Sequence, residues 1–384
     1  MTDKNAIDQA LAAAGKPDLL QNTDALEAAE AQWGESAVLG IDTEFFRERT
    51  YRAELGLVQV SDGRRAWLID PLALGDLQAL KRMLCNSAIL KVFHSASEDL
   101  EVLWQSLGVA PVPMIDTQIA CAMLGQPLQL SYQHIVQWLC GVEVDKDQTR
   151  SNWLRRPLSQ KQLYYAASDV VFLPMMLARL RAELRDENRW HWIEEDVGRM
   201  VRQSQHGTEP ALAYQRINGA GRLDPVALRT LAALAGWREE IARSNNIARG
   251  FVLTDVDLMQ LAQRRPQTAA QLAEIDSIHP SARKKYQQTL LGLIDSSLKS
   301  EQPVEHIAVL DREQQRRLQM MREVVKQRAE ELHIDPALLA SRKLLEALIT
   351  SMDAGGDPPE RLAGWRYAVI TEKLLQLASE AARG

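Results

Sequence analysis

At 384 residues, with 46% hydrophobic and 25% charged residues, the chain is long enough for two or three domains and is neither disordered nor fibrous in composition. The net charge of −6 argues against a protein that coats nucleic acid through bulk electrostatics. Residues 1–210 carry 21 Lys and Arg against 29 Asp and Glu, whereas residues 211–384 carry 24 against 22, which leaves room for an acidic, metal-dependent part beside a more neutral one.

The first 210 residues mix strand and helix patterns. In chain order they predict strands at 37–41, 57–60 and 66–69, a helix at 77–84, a strand at 89–93, and helices at 98–107, 116–124 and 130–139. The first three strands are closely spaced, which favours antiparallel neighbours, and Gly108 fits a helix stop. After a polar loop at 144–157, a long helix begins with the capping pair Ser159 and Gln162, and Pro174 predicts a kink or a break in it.

Beyond Pro210 the strand pattern ends and amphipathic helical stretches follow. Residues 237–261 and 325–349 both show a helix, a short loop and a second helix, which predicts a duplicated helical module of about 70–80 residues. We therefore predict three domains, at 20–210, 211–300 and 301–384.

The first acidic motif, Ile41-Asp42-Thr43-Glu44-Phe45, ends an apolar run. Residues two apart on a strand face the same side, so Asp42 and Glu44 would place two carboxylates close together. Like charges held that near repel, and one takes up a proton unless a cation lies between them. A D-x-E pair alone is weak evidence, because a solvated pair or a local salt bridge gives the same pattern.

The second motif, at 93–103, is a strand that enters a helix, with Ser95 and Glu98 at capping-box spacing. Asp99 lies in the first helical turn, where the helix dipole favours an anion, and the dipole alone is a sufficient explanation for it. His94 at the strand end either touches a phosphate or is a hydrogen-bonded structural histidine. Both alternatives stay open from the residues alone.

The third motif is Tyr165-Ala166-Ala167-Ser168-Asp169 on the long helix. Tyr165 and Asp169 are four residues apart and share one helical face. The two alanines beside them let the helix approach other backbone closely. In isolation this motif fits packing plus a surface acid equally well.

In this order and at these separations, the strand D-x-E, the helix-start Asp99 and the helix Y-x-x-x-D resemble the DEDD 3′→5′ exonuclease superfamily in its tyrosine subtype. The superfamily's other subtype has a histidine at the position of Tyr164. Further stretches resemble the ribonuclease D family: Leu55–Gln59, Ile69-Asp70-Pro71, H-x-x-x-x-D-L-x-x-L at 94–103, Ile115-Asp116-Thr117-Gln118, Asp145-Lys146 and Ser151-x-Trp153. The helical part is similar to two tandem HRDC (helicase and RNase D C-terminal) domains. The resemblance implies a ribonuclease H-like α/β exonuclease domain, with a mixed sheet flanked by helices, followed by two all-α domains.

The chemistry of the four acids agrees with this resemblance. Four carboxylates without an equal set of local bases or any ligand cysteines suit hard, oxygen-preferring cations, hence Mg²⁺ or Mn²⁺. The resemblance implies two such ions per active site and hydrolysis of RNA from its 3′ end with release of 5′-mononucleotides. It also implies precursor tRNA 3′ ends and other structured RNAs as substrates, a monomer, and no nucleotide cofactor.

The resemblance also implies individual roles. Asp42, Glu44 and Asp169 would hold the nucleophile-side metal, Asp42 would bridge to the second metal, and Asp99 would anchor that second metal largely through water. Tyr165 is a poor base at an ordinary tyrosine pKa of about 10, so we expect it to orient the attacking water by a hydrogen bond. The candidate substrate contacts are Phe45, Gln59, His94, Lys146, Trp153 and Arg155, for which ordinary packing or solvation is an equal alternative.

In the helical part, Arg264-Arg265 and Arg283-Lys284-Lys285 are compact basic runs. They either grip a phosphate backbone or form solvated helix faces. Cys85, Cys121 and Cys140 form no C-x-x-C pair and are expected to be reduced core residues. No apolar run approaches the roughly 18 residues that cross a bilayer, and the first residues lack the layout of a secretory signal, so we expect a cytoplasmic protein without membrane association.

Three rival functions fit the sequence less well. A proofreading exonuclease attached to a DNA polymerase uses the same acids, but the chain after residue 210 is too short for a polymerase. A helicase-linked exonuclease needs a G-x-x-x-x-G-K-[ST] phosphate loop, which the sequence lacks. A non-catalytic RNA-binding scaffold is disfavoured because all four acids and the tyrosine are present.

Overall fold

The computed structural model describes residues 4–144, 148, 151–184, 187–207, 209–304 and 310–381. By their internal contacts the residues form two compact units. The first contains Met1–Phe46, Glu54–Gln205 and Arg312–Gly384, and the second contains Arg47–Ala53 and His206–Asp311. The C-terminal helices thus pack with the α/β part, and a short segment between two strands packs with the helical part. The division into domains at 210 and 300 stays a prediction.

A six-stranded mixed sheet lies at the centre of the first unit. The strands are β1 (Asp18–Leu20), β2 (Val38–Phe46), β3 (Glu54–Ser61), β4 (Ala66–Ile69), β5 (Leu90–Phe93) and β6 (Met114–Asp116). They lie in the order β1-β4-β3-β2-β5-β6, and β3 is antiparallel to both of its neighbours while the other pairs are parallel. The three predicted antiparallel strands are therefore confirmed as β2, β3 and β4.

Nine helices accompany this sheet over the described part of residues 4–204. They are α1 (Lys4–Gly15), α2 (Thr23–Trp33), α3 (Gln78–Cys85), α4 (Ser97–Leu107), α5 (Thr117–Met123), α6 (Tyr132–Cys140), α7 (Gln160–Val171), α8 (Leu173–Glu183) and α9 (Glu187–Ser204). The predicted helices correspond to α3 to α8, and Gly108 ends α4 with a positive φ of 71°. The sequence patterns did not predict α1, α2 and α9, nor the three-residue strands β1 and β6, which are too short for a visible alternation.

The long predicted helix is two helices, α7 and α8. Ser159 and Gln162 form the predicted capping box at the start of α7. Pro174 lies in the first turn of α8, which confirms the predicted break. The stretch Gln160–Glu183 is long and apolar enough to cross a membrane by length and composition, so the expectation that no run approaches that length is wrong here. Because 61% of its most apolar window is buried within the fold, it fits a pair of core helices.

The three cysteines of this unit differ in exposure. Cys121 and Cys140 are buried free thiols, as expected for core residues. Cys85, the last residue of α3, is exposed, so its assignment to the core is wrong.

The second unit is helical and has its own hydrophobic core. After a 3₁₀ helix at Pro210–Arg216, its helices are α10 (Pro225–Ser244), α11 (Arg249–Val252), α12 (Asp255–Arg264), α13 (Ala269–Ala273) and α14 (Pro280–Lys299). The segment Arg47–Ala53, which connects β2 to β3, packs in this unit through Tyr51. The Tyr51 hydroxyl donates a hydrogen bond of 2.6 Å to Glu239.

The C-terminal helices repeat the order of the second unit. They are α15 (Arg312–Leu332), α16 (Pro336–Leu339), α17 (Arg342–Asp353) and α18 (Glu372–Ala381). Helices α10, α11 and α12 begin 87 residues before α15, α16 and α17, respectively. Each set consists of a long helix, a four-residue helix and a helix with a Thr or Ser N-cap. The predicted duplication is therefore visible in the element order.

Helix α9 joins the C-terminal helices to the α/β part of the first unit. The fully buried Arg366 guanidinium donates to both carboxylate oxygens of Asp196 on α9, at 2.6 and 2.7 Å. Beside this pair, the rings of Trp192 and Trp365 stack with centroids 4.5 Å apart. The C-terminal helices are thus fixed to the α/β part by a buried ion pair and aromatic packing.

Candidate active site

Two of the three acidic motifs come together where α7 packs against β2. One carboxylate oxygen from each of Asp42, Glu44 and Asp169 lies within 4.8 Å of the other two. Asp42 and Glu44 are two residues apart on β2, so strand geometry places both on one face. Asp169 comes from the last turn of α7. Within the described residues, this cluster has the spacing of a metal site.

Close backbone approach makes this meeting possible. A Cβ atom on Gly40 of β2 would lie 2.6 Å from the carbonyl oxygen of Val170 and 2.7 Å from Leu173 Cβ. Only glycine therefore lets the junction of α7 and α8 come this close to β2. This close packing places Asp169 of α7 next to the Asp42 carboxylate.

Asp99 reaches the site from the first turn of α4. Thr43, between Asp42 and Glu44, donates a hydrogen bond of 2.5 Å from its hydroxyl to the Asp99 carboxylate. Both Thr43 and Asp99 are buried. This bond ties α4 to the acidic strand, so the fourth acid belongs to the same neighbourhood although it lies outside the tight cluster of three.

Burial raises the pKa of all four acids, and repulsion between site acids adds to the increase for Asp42 and Glu44. Burial, together with the charges of Asp99, Asp169 and Glu44, raises the pKa of Asp42 well above its ordinary value. Burial raises the pKa of Glu44 to about 9, and the charges of Asp169 and Asp99 contribute to the increase. Burial also raises the pKa of Asp169 to about 7, against the effect of a hydrogen bond from Tyr165, and that of Asp99 to about 6, against the effect of the Thr43 hydrogen bond.

No Lys or Arg among the described residues forms an ion pair with any of these four acids. A group of partly buried carboxylates without a cationic partner is stable in its ionised form only when a cation binds. The donor set is made of oxygen atoms, which suits a hard divalent cation. The residues therefore fit the metal that the sequence predicts.

Tyr165 lies one turn before Asp169 on the same face of α7 and is buried. Its hydroxyl is hydrogen-bonded to the Asp169 side chain. A small cavity of about 100 Å³ lies beside these groups and is lined in part by Asp42, His94, Tyr132, Gln133, Tyr165 and Asp169. The tyrosine is thus placed between the Asp169 carboxylate and the cavity.

Comparison with known proteins assigns the chain to a family. Residues 18–185 match the model of a 3′–5′ exonuclease family, and residues 227–294 match that of the HRDC domain. The chain is 37% identical over 355 residues to ribonuclease D of Pseudomonas paraeruginosa, covering 91% of this chain and 94% of that protein. It is 37% identical over 361 residues to ribonuclease D of Xanthomonas oryzae, covering 94% and 97%. The chain belongs to the ribonuclease D family.

The fold agrees with this assignment. The crystal structure of Escherichia coli RNase D, described as an exoribonuclease involved in structured RNA processing, superposes with a TM-score of 0.86 at 31% identity, covering 95% of this chain and 99% of that one. The catalytic core of RRP6 from Trypanosoma brucei shares the fold, with a TM-score of 0.60 at 22% identity. The protein is accordingly a hydrolase, a 3′→5′ exoribonuclease that combines an exonuclease domain with an HRDC domain. The HRDC model matches once, in the first of the two helical repeats.

The candidate substrate contacts differ in exposure and in hydrogen bonding. Phe45 is partly exposed on β2, next to an irregularity in the strand register between Glu44 and Phe45. Arg155 is exposed. His94 lines the cavity, but both of its ring nitrogens are hydrogen-bonded within the protein, to the Thr117 hydroxyl and the Leu130 carbonyl, each at 2.9 Å. Lys146 lies outside the described residues.

Two of the candidate substrate contacts are buried and therefore not accessible to a substrate. Trp153 is 1% exposed, and its ring lies 6.1 Å from that of Tyr165. Gln59 is 0% exposed on β3. Trp153 therefore packs against α7 and offers no free face for base stacking.

A residue that sequence reasoning missed holds the loop around Trp153 in place. Arg156 donates to both Asp70 carboxylate oxygens, at 2.7 and 2.6 Å, and to the carbonyls of Trp153 and Gly56, each at 2.7 Å. Although Ile69-Asp70-Pro71 is a recognisable motif, nothing in the pattern connects it to an arginine 86 positions later. The bond network fixes the loop after 151 to the sheet.

The predicted capping box of Ser95 and Glu98 is wrong. Ser95 has a positive φ of 62°, and α4 begins without a side-chain cap. The Asp116 carboxylate accepts from the backbone N–H groups of Ser95 and Ala96 instead, at 3.0 and 2.8 Å. Because Asp116 also caps α5, it sets the turn that leads from β5 to Asp99.

Proposed function

We propose that Asp42, Glu44, Asp99 and Asp169 hold two divalent ions, Mg²⁺ or Mn²⁺, and that the enzyme uses them to release 5′-mononucleotides one at a time from RNA 3′ ends. The observation that carries this proposal is the cluster of three carboxylate oxygens within 4.8 Å, which no protein cation neutralises among the described residues. The raised pKa values of these acids are what such a site shows before it binds its cations.

The proposed roles follow the placement of each acid. Asp42, Glu44 and Asp169 would bind the ion on the side of the nucleophile, with Asp42 bridging to the second ion and Asp99 anchoring that one. Such ions supply an activated water and stabilise the leaving 3′ oxygen. The protein's own contribution is to hold the acids in place through the strand, through α7 and through the Thr43 hydrogen bond.

Tyr165 would place the chain in the tyrosine subtype. An ordinary tyrosine hydroxyl, with a pKa of about 10, is a weak base at neutral pH. The Tyr165 hydroxyl faces a ligand carboxylate and the cavity, so we assign it to orienting the attacking water by a hydrogen bond. The carboxylates and their cations would take up the charge that this step develops.

The substrate would be the 3′ end of precursor tRNA or of another structured RNA. Structured RNA processing is the role described for Escherichia coli RNase D, and this chain matches that enzyme over 95% of its length. Phe45, His94 and Arg155 remain the candidate contacts near the site or on the exposed loop, with Lys146 as a further candidate from the sequence. We also propose a cytoplasmic monomer that uses no nucleotide cofactor.

The repeated helical order supports a second HRDC domain at 301–384, beside the one at 211–300. Both would contribute to RNA binding. Of the two basic runs, Arg264 and Arg265 are engaged with Glu274 and Asp224, whereas Lys284 and Lys285 are exposed on α14. The lysine pair is therefore the better candidate for a phosphate contact.

The central test is hydrolysis of a labelled single-stranded RNA by the purified full-length protein with Mg²⁺ or Mn²⁺. We expect stepwise shortening from the 3′ end, release of 5′-mononucleotides, and no reaction in EDTA. An RNA with a blocked 3′ end serves as the control for internal cleavage and should remain intact. Equal activity in EDTA, or cleavage of the blocked RNA, would overturn the proposed mechanism.

A second test addresses the helical domains. Replacing Lys284 and Lys285 by Glu should raise KM for a structured RNA while leaving kcat near the wild-type value, because the change affects binding and leaves the acids intact. Lys299→Glu is a matched charge reversal at another exposed lysine of the same helix. Equal KM values for both variants would remove the lysine pair from substrate binding.

A further inference from the structure

Gln59 occupies an unusual position beside the acidic cluster. It lies on β3 directly opposite Asp42 in the antiparallel register of β2 and β3. Directly opposed residues project from the same face of a sheet, with Cβ atoms roughly 4.5–5.5 Å apart. The Gln59 side chain is therefore a direct neighbour of the Asp42 side chain, on the face that carries the acids.

The amide of Gln59 has no partner within the protein. Its side chain is 0% exposed, and neither its nitrogen nor its oxygen forms a hydrogen bond with any of the described residues. No other side-chain amide in the described part of the chain has both polar atoms buried in this way. A buried polar group without a partner destabilises a fold, so its presence needs a reason outside the fold itself.

We propose that Gln59 is a positioning residue for Asp42. When cations hold the Asp42 carboxylate in its ionised form, the Gln59 N–H group donates a hydrogen bond to it, directly or through one ordered water. A charged acceptor forms a stronger bond with an N–H donor than a neutral one does, so the ionised carboxylate is the partner that this amide suits best. The bond fixes the orientation of the carboxylate that bridges the two ion positions.

This role differs from a substrate contact. Gln59 does not line the cavity beside Asp42 and Asp169, and its burial keeps it away from RNA. Its effect must therefore pass through Asp42. Groups that orient metal ligands in this way typically change metal affinity or activity by about 10–100-fold when they are removed.

The test is Gln59→Met, which removes both polar atoms while nearly keeping the length of the side chain. In EDTA we expect the melting temperature of the full-length protein to rise by about 2–4 °C, because an unsatisfied buried amide is gone. We expect Mn²⁺ affinity without RNA, measured by calorimetry, to fall about tenfold or more. Saturating Mn²⁺ should restore most of the lost kcat.

Val60→Ala is the matched control. Val60 is the next residue of β3, fully buried, and its side chain projects from the opposite face of the sheet. This change should lower the melting temperature and leave Mn²⁺ affinity unchanged. If Gln59→Met also keeps its Mn²⁺ affinity, or if it lowers the melting temperature in EDTA, the positioning role is wrong.

The inference rests on the proposed metal site, and the two can fail separately. Loss of Mn²⁺ binding in Asp42→Asn, combined with normal binding in Gln59→Met, rejects only the role of Gln59. Normal Mn²⁺ binding in Asp42→Asn rejects the metal site and the role of Gln59 with it. Loss in both variants, with the Val60→Ala control unaffected, supports both.

Discussion

The four acids of the candidate site and three acids elsewhere in the molecule have opposite electrostatic surroundings. Asp70 and Glu239 are buried and Asp196 is mostly buried. Each accepts two hydrogen bonds from one arginine, namely Arg156, Arg249 and Arg366, respectively. Burial raises their pKa values, but the arginines outweigh that effect, so each pKa lies below its ordinary range. The four acids of the candidate site have raised pKa values and no such arginine among the described residues.

The difference shows where the compensating charge comes from. At Asp70, Asp196 and Glu239 this chain supplies an arginine with good geometry, which makes each pair tolerable. At the site, none of the described residues supplies one. The missing positive charge must therefore be brought by a bound cation, and the acids are stable without it only when they carry protons.

Removing one site acid gives the largest expected effect. Asp42→Asn keeps the shape of the side chain but removes the charge that would bridge the two ion positions. We expect loss of about 4 kcal/mol or more of transition-state stabilisation, a decrease in kcat of about a thousandfold or more. The variant should be at least as stable as the wild type in EDTA, because one repelling carboxylate is gone. Cleavage at the wild-type rate in a labelled RNA assay would contradict the assignment.

Removing the arginine of a structural ion pair should lower the stability of the protein, in contrast to the change expected for Asp42→Asn. Arg366→Met removes the bidentate partner of Asp196, which keeps only Arg199 at 2.9 Å as a cation, and it removes a donor from the Leu338 carbonyl. We therefore expect a loss of about 3 kcal/mol in the free energy of unfolding. Lys299→Met, which breaks the exposed pair with Asp295, should cost less than about 1 kcal/mol. Denaturant titration of both variants measures the difference. Equal stability of the two variants would show that the buried pair contributes nothing special.

Tyr165→Phe tests the residue that lies between an acid and the cavity. Loss of the hydroxyl should lower kcat by about 10–100-fold and leave Mn²⁺ affinity near normal, because the carboxylates remain in place. Tyr164→Phe is the matched control, since Tyr164 is its neighbour on α7 and is 46% exposed. The two variants should differ clearly in single-turnover rate. A large loss of Mn²⁺ affinity in Tyr165→Phe would instead make the tyrosine part of the metal site.

The last expected effect is a pH dependence of stability that cation binding should remove. The site acids have higher pKa values folded than unfolded, so the native state holds protons that the unfolded state releases first. In EDTA, stability from this group should therefore decrease as the pH rises from about 4, near the ordinary values of 3.8 and 4.5, to about 9, the raised pKa of Glu44. Melting temperatures across this range, with and without Mn²⁺, measure it. Identical pH profiles with and without Mn²⁺ would contradict the inference that the site acids carry protons when no cation is bound.

Much of the fold was predictable because its signals are local. The strands β2, β3 and β4 show short apolar runs, α7 shows its capping box, and Pro174 marks the break before α8. The acids Asp42, Glu44, Asp99 and Asp169 could be named from the spacing of their motifs and from a family resemblance. Which of them share a cluster is a structural result.

The sequence by itself determined the kinds of residue available: four acids, one tyrosine and a strand-and-helix order that brings them toward one end of a sheet. Only the tertiary structure decided which residues form ion pairs and hydrogen bonds with one another. Asp70 meets Arg156 across 86 positions, Asp196 meets Arg366 across 170, and the backbone around Ser95 is fixed by Asp116 instead of its own helix cap. Trp153 and Gln59 are buried for the same reason, because packing between distant segments sets exposure. Ion pairing and burial depend on distances in space, and no local pattern of residues encodes those distances.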